Sequence, residues 1–191
     1  MFSTSRTLAV LLAGLVILGG CMSPSGDTAQ DRRKAVQQMK SEALAKLYRI
    51  EPHAKEQVKH AAGYAVFSNV GVNLFLMSAG SGYGVVENNR TGEKTYMKMA
   101  SGGLGIGLGI KDFRGIFVFT SEGALKAFNE HGWDASAQVD AAAKAADKGD
   151  AWAGAVDVAP GIKLYQLTVN GLALQATIQG TKYWKADDLN S

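Results

Sequence analysis

The sequence predicts an α+β domain: N-terminal helices, then a curled antiparallel sheet or barrel-like β unit that carries one further helix. Three observations lead there. Before residue 63, apolar residues recur at helical spacing. From Gly63 onward the dominant period is two, which is the period of a strand with distinct faces. Finally, the chain holds 23 glycines against 3 prolines, and many of those glycines sit inside apolar alternating runs. Disordered linkers spread glycine differently; glycine at alternate strand positions leaves one sheet face bare and lets it coil.

Taken in order, a helix is expected to start at Asp27 or Thr28, with Gln30 or Asp31 as the reciprocal capping residue. Val36, Met39, Ala43, Leu44 and Leu47 form its apolar stripe, flanked by Lys34, Lys40 and Lys46. Pro52 suits the first turn of a second helix reaching about residue 62, and Gly63 suits its C-terminal cap. Strands are then expected over 64–68, 72–78 and 82–87, followed by the turn Asn88-Asn89-Arg90-Thr91-Gly92 and a strand over 95–100. Leu104, Ile106, Leu108 and Ile110 alternate with Gly103, Gly105, Gly107 and Gly109, the cleanest two-residue period in the chain. Residues 111–115 are expected to turn and 116–119 to resume a strand. Ser121 can cap a helix to about Glu130, with Ala124, Leu125 and Phe128 facing inward and Gly132 ending it. The alanine-rich stretch 135–149 fits neither period. Pro160-Gly161 opens a strand over 162–169, and Asn170-Gly171 joins it to a return strand over 172–179.

Composition and charge narrow the function classes. Arg6 is the one charged residue of the first twenty, so removing that segment lowers the formal charge from +3 to +2. A charge that small gives no nucleic-acid footprint. Catalytic patterns are missing from the sequence as well. Ser68, Ser78, Ser81 and Ser101 lie in no Gly-x-Ser-x-Gly elbow, no phosphate-binding glycine loop has the required spacing, and Asp187-Asp188 would point to opposite faces if on a strand. The chain is therefore expected to be non-enzymatic and to need no cofactor.

The N-terminus carries the most specific motif. Arg6 is followed by an apolar run over 8–18, too short to span ~30 Å of hydrocarbon as a stable anchor. It ends in Leu18-Gly19-Gly20-Cys21, and Cys21 is the only cysteine. This resembles the lipobox of bacterial lipoproteins: a thiol accepts diacylglycerol as a thioether, and small residues before it admit the signal peptidase. The resemblance implies a signal peptide over 1–20, a lipidated tether over 21–27 and one domain over 28–191. It further implies acylation of the Cys21 amine, which makes anchoring effectively permanent at ~0.8 kcal/mol per buried CH₂. Met22 is not the aspartate that holds many such proteins in the inner membrane, so the inner leaflet of the outer membrane, facing the periplasm, is the expected location.

Further motifs point to a family. Gly63-Tyr64-Ala65-Val66-Phe67, Gly80-Ser81-Gly82-Tyr83-Gly84, Phe117-Val118-Phe119 before a Ser-initiated helix, and Asn170-Gly171-Leu172 with Gly180-Thr181-Lys182-Tyr183 after it resemble the SYLF domain in order and spacing. The resemblance covers about residues 50–190. Eukaryotic members bind phosphoinositide membranes and some bundle actin, whereas bacterial members are mostly exported or lipidated. The resemblance implies a lipid-associated module; actin and phosphoinositides are absent from the periplasm, so those ligands are not carried over.

Arg32, Arg33 and Lys34 form the best basic cluster and could meet anionic headgroups at ~1 kcal/mol each, or simply be a solvated first helical turn. Gly80, Gly82 and Gly84, with Gly103, Gly105, Gly107 and Gly109, form a bare strand face, expected to lie under a packed element rather than open to lipid. On that reading Gly105→Val overfills the interface, at a cost of roughly 1–3 kcal/mol. His53, Glu56 and His60 share a helix face, but that set is expected to face solvent and hold no metal. Phe117 and Phe119 are expected in the core, and Trp133 and Trp152 more as core than as membrane contacts. Partners are thus membrane lipid through Cys21, with phospholipid headgroups as further contacts. The competing reading is a protein-interaction or envelope-stress scaffold that uses the mixed charges of Lys144, Asp147, Lys148 and Asp150.

Overall fold

The computed structural model describes residues 24–134, 154–168, 171–173 and 180–191, with backbone alone over 72–78, 103–112 and 171–173. It is an α+β domain in which helices lead into a curled antiparallel sheet. Helix α1 is Ala29–Ile50. Thr28 caps it: its Oγ1 accepts from the Asp31 backbone N–H at 3.1 Å and donates to Asp31 Oδ2 at 2.6 Å. Helix α2 is the short His53–His60, entered through Pro52.

Two long strands come next and dominate the sheet. β1 is Gly63–Asn88 and β2 is Lys94–Phe119, each of 26 residues. They pair antiparallel from Gly63↔Phe119 to Glu87↔Lys94, with one register shift between Phe75 and Met77. A straight strand of that length would reach roughly 85 Å at 3.3 Å per residue. This hairpin instead folds over, so that its tip returns to its base. The Asn89 N–H donates to the Ala62 carbonyl at 3.1 Å, while the Ala62 N–H donates to the Phe119 carbonyl at 2.9 Å. The Asn89 amide also donates to the carbonyls of Val58 (2.6 Å) and Ala61 (3.0 Å), closing the end of α2.

The remaining elements build on the bent ribbon. Helix α3, Glu122–His131, is capped by Ser121 and ends at Gly132, whose φ is +69°. Strand β3 is Trp133–Asp134, β4 is Val156–Ala159, β5 is Ile162–Thr168, β6 is Gly171–Ala173 and β7 is Gly180–Lys185; the last element is α4, Asp187–Asn190. Because β2 is bent, it takes two different partners. β7 runs against Met97–Gly102 and β5 against Arg114–Phe119. β3 then joins β7, while β4 and β6 join β5.

Strand alternation sends neighbours into two cores. Ala65, Phe67, Phe117 and Phe119 point inward, with Met97, Met99, Phe128, Trp133 and Tyr183. The rings of Phe67, Phe117, Phe128, Trp133 and Tyr183 stack edge-on or tilted, with centroids from 4.6 to 6.3 Å apart. Tyr64, Val66, Ile116 and Val118 point outward, under Val36, Met39, Ala43 and Leu47 of α1 and Val58 of α2. Both faces of these strands are therefore dry.

Several expectations change. The strands expected at 64–68, 72–78 and 82–87 are one strand, and residues 111–115 continue β2 instead of turning. Pairing with Gly71 and Val70 of β1 supplies the ladder that a turn at Lys111-Asp112 would have forfeited. Gly63 does not cap α2. Ala61 does, and Gly63 opens β1, where a Cβ would sit 2.5 Å from the Glu87 carbonyl oxygen. Asp187 and Asp188 begin a four-residue helix. The hairpin is present, but Gly171, expected in its turn, opens the return strand opposite Thr168; residues 169 and 170 lie outside the described residues. Trp133 is core. Residues 135–149, Trp152 and residues 174–179 lie outside the described residues.

Candidate functional site

The glycine face divides in two. A Cβ on Gly82 would overlap the carbonyl oxygen of Ser68, one on Gly84 would overlap the Val66 carbonyl and the Phe67 ring, and one on Gly80 would meet Ser101 Oγ at 2.5 Å and Asn69 Oδ1 at 2.8 Å. These three glycines lie where the second half of β1 presses on its own first half. Gly103, Gly107 and Gly109 stand opposite Ser78, Phe75 and Asn73 in the β2 ladder. The surroundings of those glycines and of Gly105 fall outside the described side chains, and the Gly105→Val expectation falls there with them. Below Gly80 lies a buried polar spot that sequence reading missed. Asn69, 2 % exposed, keeps its Nδ2 3.5 Å from Ser101 Oγ, and its Oδ1 has no hydrogen-bond partner.

The basic cluster is brought against the C-terminus. Arg32 Nη1 meets Asp188 Oδ2 at 3.1 Å, and Lys98 Nζ takes the other oxygen, Oδ1, at 2.8 Å. The Arg33 Nε donates to the Leu189 carbonyl at 2.8 Å, and its Nη2 to the Ser191 carbonyl. Of two cations that oppose the dipole of α1 at its N-terminus, Arg33 thus satisfies carbonyls at the end of α4, and Arg32 pairs with the Asp188 carboxylate. The Lys98 hydrogen bond, opposed by a little burial and helped by the nearby charges, holds the Asp188 carboxyl below its ordinary range. Asn190 completes the latch: its Oδ1 accepts from the Tyr96 N–H and its Nδ2 donates to the Tyr96 carbonyl, both at 2.8 Å. Lys34 lies apart, 70 % exposed and 3.8 Å from Asp31.

A second charged knot ties α1 to the sheet. Lys40 Nζ meets Glu87 Oε2 at 2.6 Å and lies 6.0 Å from the Tyr64 ring centre, while Lys94 reaches Glu87 Oε1 at 3.9 Å. Burial pushes the Glu87 carboxyl up, but the Lys40 hydrogen bond and the charges of Lys40 and Lys94 together hold it below the ordinary value. Burial first, then the Glu87 charge, raises the Tyr64 hydroxyl far above its usual range. Further along α1, a groove of about 190 Å³ lies between the helix and the β2/β5 edge, with Met39, Ala43 and Leu167 in its floor and Lys46 and Arg114 at its rim. Lys46 donates to the Thr168 carbonyl there at 2.7 Å.

The histidine face of α2 is exposed, with His60 Nε2 3.2 Å from Glu56. Among the described residues no three His, Cys, Asp or Glu side chains converge on a possible metal position. No helix among them is long and apolar enough to cross a membrane. Cys21 lies outside the described residues, but Pro24, three positions on, is already buried.

No family model matches the chain. It is similar to Beta cell expansion factor A of Aeromonas veronii, with 36% identity over 164 residues, or 85% of this chain. The chain spans 60% of the length of that relative.

Proposed function

We propose that this chain is a membrane-anchored, non-enzymatic, lipid-associated module of the bacterial envelope, attached through acylated Cys21. The carrying observation is Leu18-Gly19-Gly20-Cys21 at the end of an 8–18 apolar run, in a chain with 1 cysteine. Pro24, only three residues beyond Cys21, is already buried, and an anchor needs only a short tether. The SYLF-like motifs support lipid association. Attachment to the inner leaflet of the outer membrane belongs to the same proposal, with Met22 as its basis.

Cys21→Ser tests the anchor. Acylation and the processing that depends on it should stop, leaving a precursor that still carries its apolar signal. A fatty-acid analogue that labels the Cys21→Ser protein refutes the reading. Intrinsic lipid affinity is a separate question, answered by co-sedimentation of the acyl-free chain with anionic and neutral vesicles; background-level binding to both leaves only the covalent anchor. A second reading, a surface that binds another envelope protein, draws on the mixed charges of Lys144, Asp147, Lys148 and Asp150. Crosslinking in intact cells separates the two: a reproducible protein adduct favours the second, and lipid adducts alone favour the first.

A further inference from the structure

Pro24, three positions after Cys21, is buried, and that short separation fixes more than attachment. At 3.3–3.6 Å per residue, the Cα atoms of Cys21 and Pro24 are at most about 11 Å apart. Gly26 then lies against the first turn of α1, where a Cβ on it would meet Asp31 Cβ at 2.6 Å and Arg32 N at 3.0 Å. From there a continuous line of contacts crosses one face of the domain. Arg32 holds Asp188, Asp188 holds Lys98, and Lys98 stands directly opposite Trp184 in the β2–β7 ladder. Alternation turns Met97, Met99, Thr181 and Tyr183 inward, so Lys98, Ala100, Lys182 and Trp184 point outward together. Lys182 is exposed and Trp184 is only half-buried, although the other described tryptophan, Trp133, is core.

We infer that this outward face of β2 and β7, centred on Trp184 between Lys98 and Lys182, is the surface that rests on the bilayer to which Cys21 is anchored. The inference builds on the proposed anchor and adds an orientation to it. The chemistry fits a phospholipid interface. An indole prefers the headgroup level, where its ring is apolar and its N–H is wet. The exposed Lys182 beside it can lay its stem along apolar surface with its ammonium in water, while the Lys98 ammonium stays paired with Asp188. Charges around the tether nearly balance, with Arg32, Arg33, Lys34, Lys98 and Lys182 against Asp27, Asp31, Asp187 and Asp188. Net attraction is therefore not what holds this face down. The acyl chains supply the affinity, and the short tether selects the face. Arg32 and Arg33 act through the fold, by keeping α4 and Lys98 in place beside the tether.

The test uses the full lipidated protein in vesicles of phosphatidylethanolamine and phosphatidylglycerol. Lys182→Cys and Arg49→Cys each introduce the only free thiol if Cys21 is a thioether, and each is labelled with a fluorophore. Arg49 is exposed and lies 17 residues beyond Arg32 on α1, about 26 Å along the helix. Phospholipids carrying a headgroup quencher should quench the label at 182 several-fold more than the label at 49. Trp184→Ala should bring quenching at 182 down toward that at 49 while the protein still sediments with vesicles. Equal quenching at the two sites, or more at 49, overturns the orientation and leaves the anchor intact. Unchanged quenching at 182 in Trp184→Ala removes the tryptophan from the contact and overturns the inference as stated. A wild-type protein that does not stay with the vesicles sinks the anchor itself, and the orientation with it.

Discussion

Replacing Gly82 with alanine asks whether the two halves of β1 press backbone on backbone. The new Cβ would overlap the Ser68 carbonyl oxygen and lie 2.9 Å from its carbonyl carbon and 3.0 Å from Met99 Cγ. None of these atoms can retreat cheaply. Ser68 is held in the ladder opposite Arg114, and Met99 is fully buried. Gly82 does not adopt a positive φ, so the penalty is steric and alanine's backbone preferences do not enter. Overpacking of this kind costs roughly 1–3 kcal/mol, and the lower entropy of the unfolded alanine chain offsets about 0.4–1 kcal/mol of it. A net loss of about 1–2 kcal/mol is expected, or a melting point lower by roughly 2–8 °C at the ~2–4 °C per kcal/mol usual for a domain this size. Gly123→Ala is the matched control. Nothing lies within 4 Å of its Cβ position, and it sits in the first turn of α3, so alanine there should stabilise by up to about 1 kcal/mol. Urea and thermal melts of the acyl-free chain, monitored by circular dichroism, compare the two. Should Gly82→Ala melt at or above the parent temperature, the close approach of the two halves is refuted.

Acid should erode stability through Glu87. Its folded pKa lies below the ordinary 4.5, so its contribution is complete above that value and is lost as pH falls through the lowered one. In urea midpoints measured from pH 7 downward, Glu87→Gln should lower the plateau, because Lys40 is left nearly buried and unpaired, and should flatten the acid slope; an unchanged slope refutes the assignment. Leu189→Ala should cost about 2–4 kcal/mol by emptying the site under α4, whereas Lys34→Ala should stay within about 0.5 kcal/mol, since its ion pair is long and exposed. Equal effects in a denaturant titration would mean that α4 is not a docked element. Asn89→Ala removes both side-chain bonds from the hairpin tip to α2 and should speed amide exchange at residues 62 and 89 well before global unfolding; unaltered protection would show that the tip is held elsewhere.

Helix starts were legible because a cap is a local device. Thr28 with Asp31, and Ser121 with the Ala124 N–H, need only residues three apart, and both are used. The inward positions of Phe117, Phe119, Leu125 and Phe128 were legible because alternation and helical periodicity decide which side chains share a face. The continuity of β1 and β2 was not. Residues 111–115 read as a turn because Lys111, Asp112 and Gly115 favour one in isolation, and only the partner strand supplies the bonds that keep them extended. Nothing in the sequence could pair Arg32 and Arg33 with a C-terminal helix 156 positions away.

By itself, then, the sequence determined the α+β class, the caps, the strand faces and the apolar run that ends in Cys21, all of which depend on residues within a few positions of one another. The tertiary structure decided what the glycines and the charges are for. Gly63, Gly82 and Gly84 are needed where segments of β1 more than a dozen residues apart come within van der Waals distance of each other's carbonyls, so their role exists only once the hairpin has folded over. Arg32, Arg33 and Lys40 looked like surface cations because a charge is read alone until a carboxylate or a helix end is brought within about 3 Å of it. The fold does that, through contacts whose distance along the chain leaves no local trace.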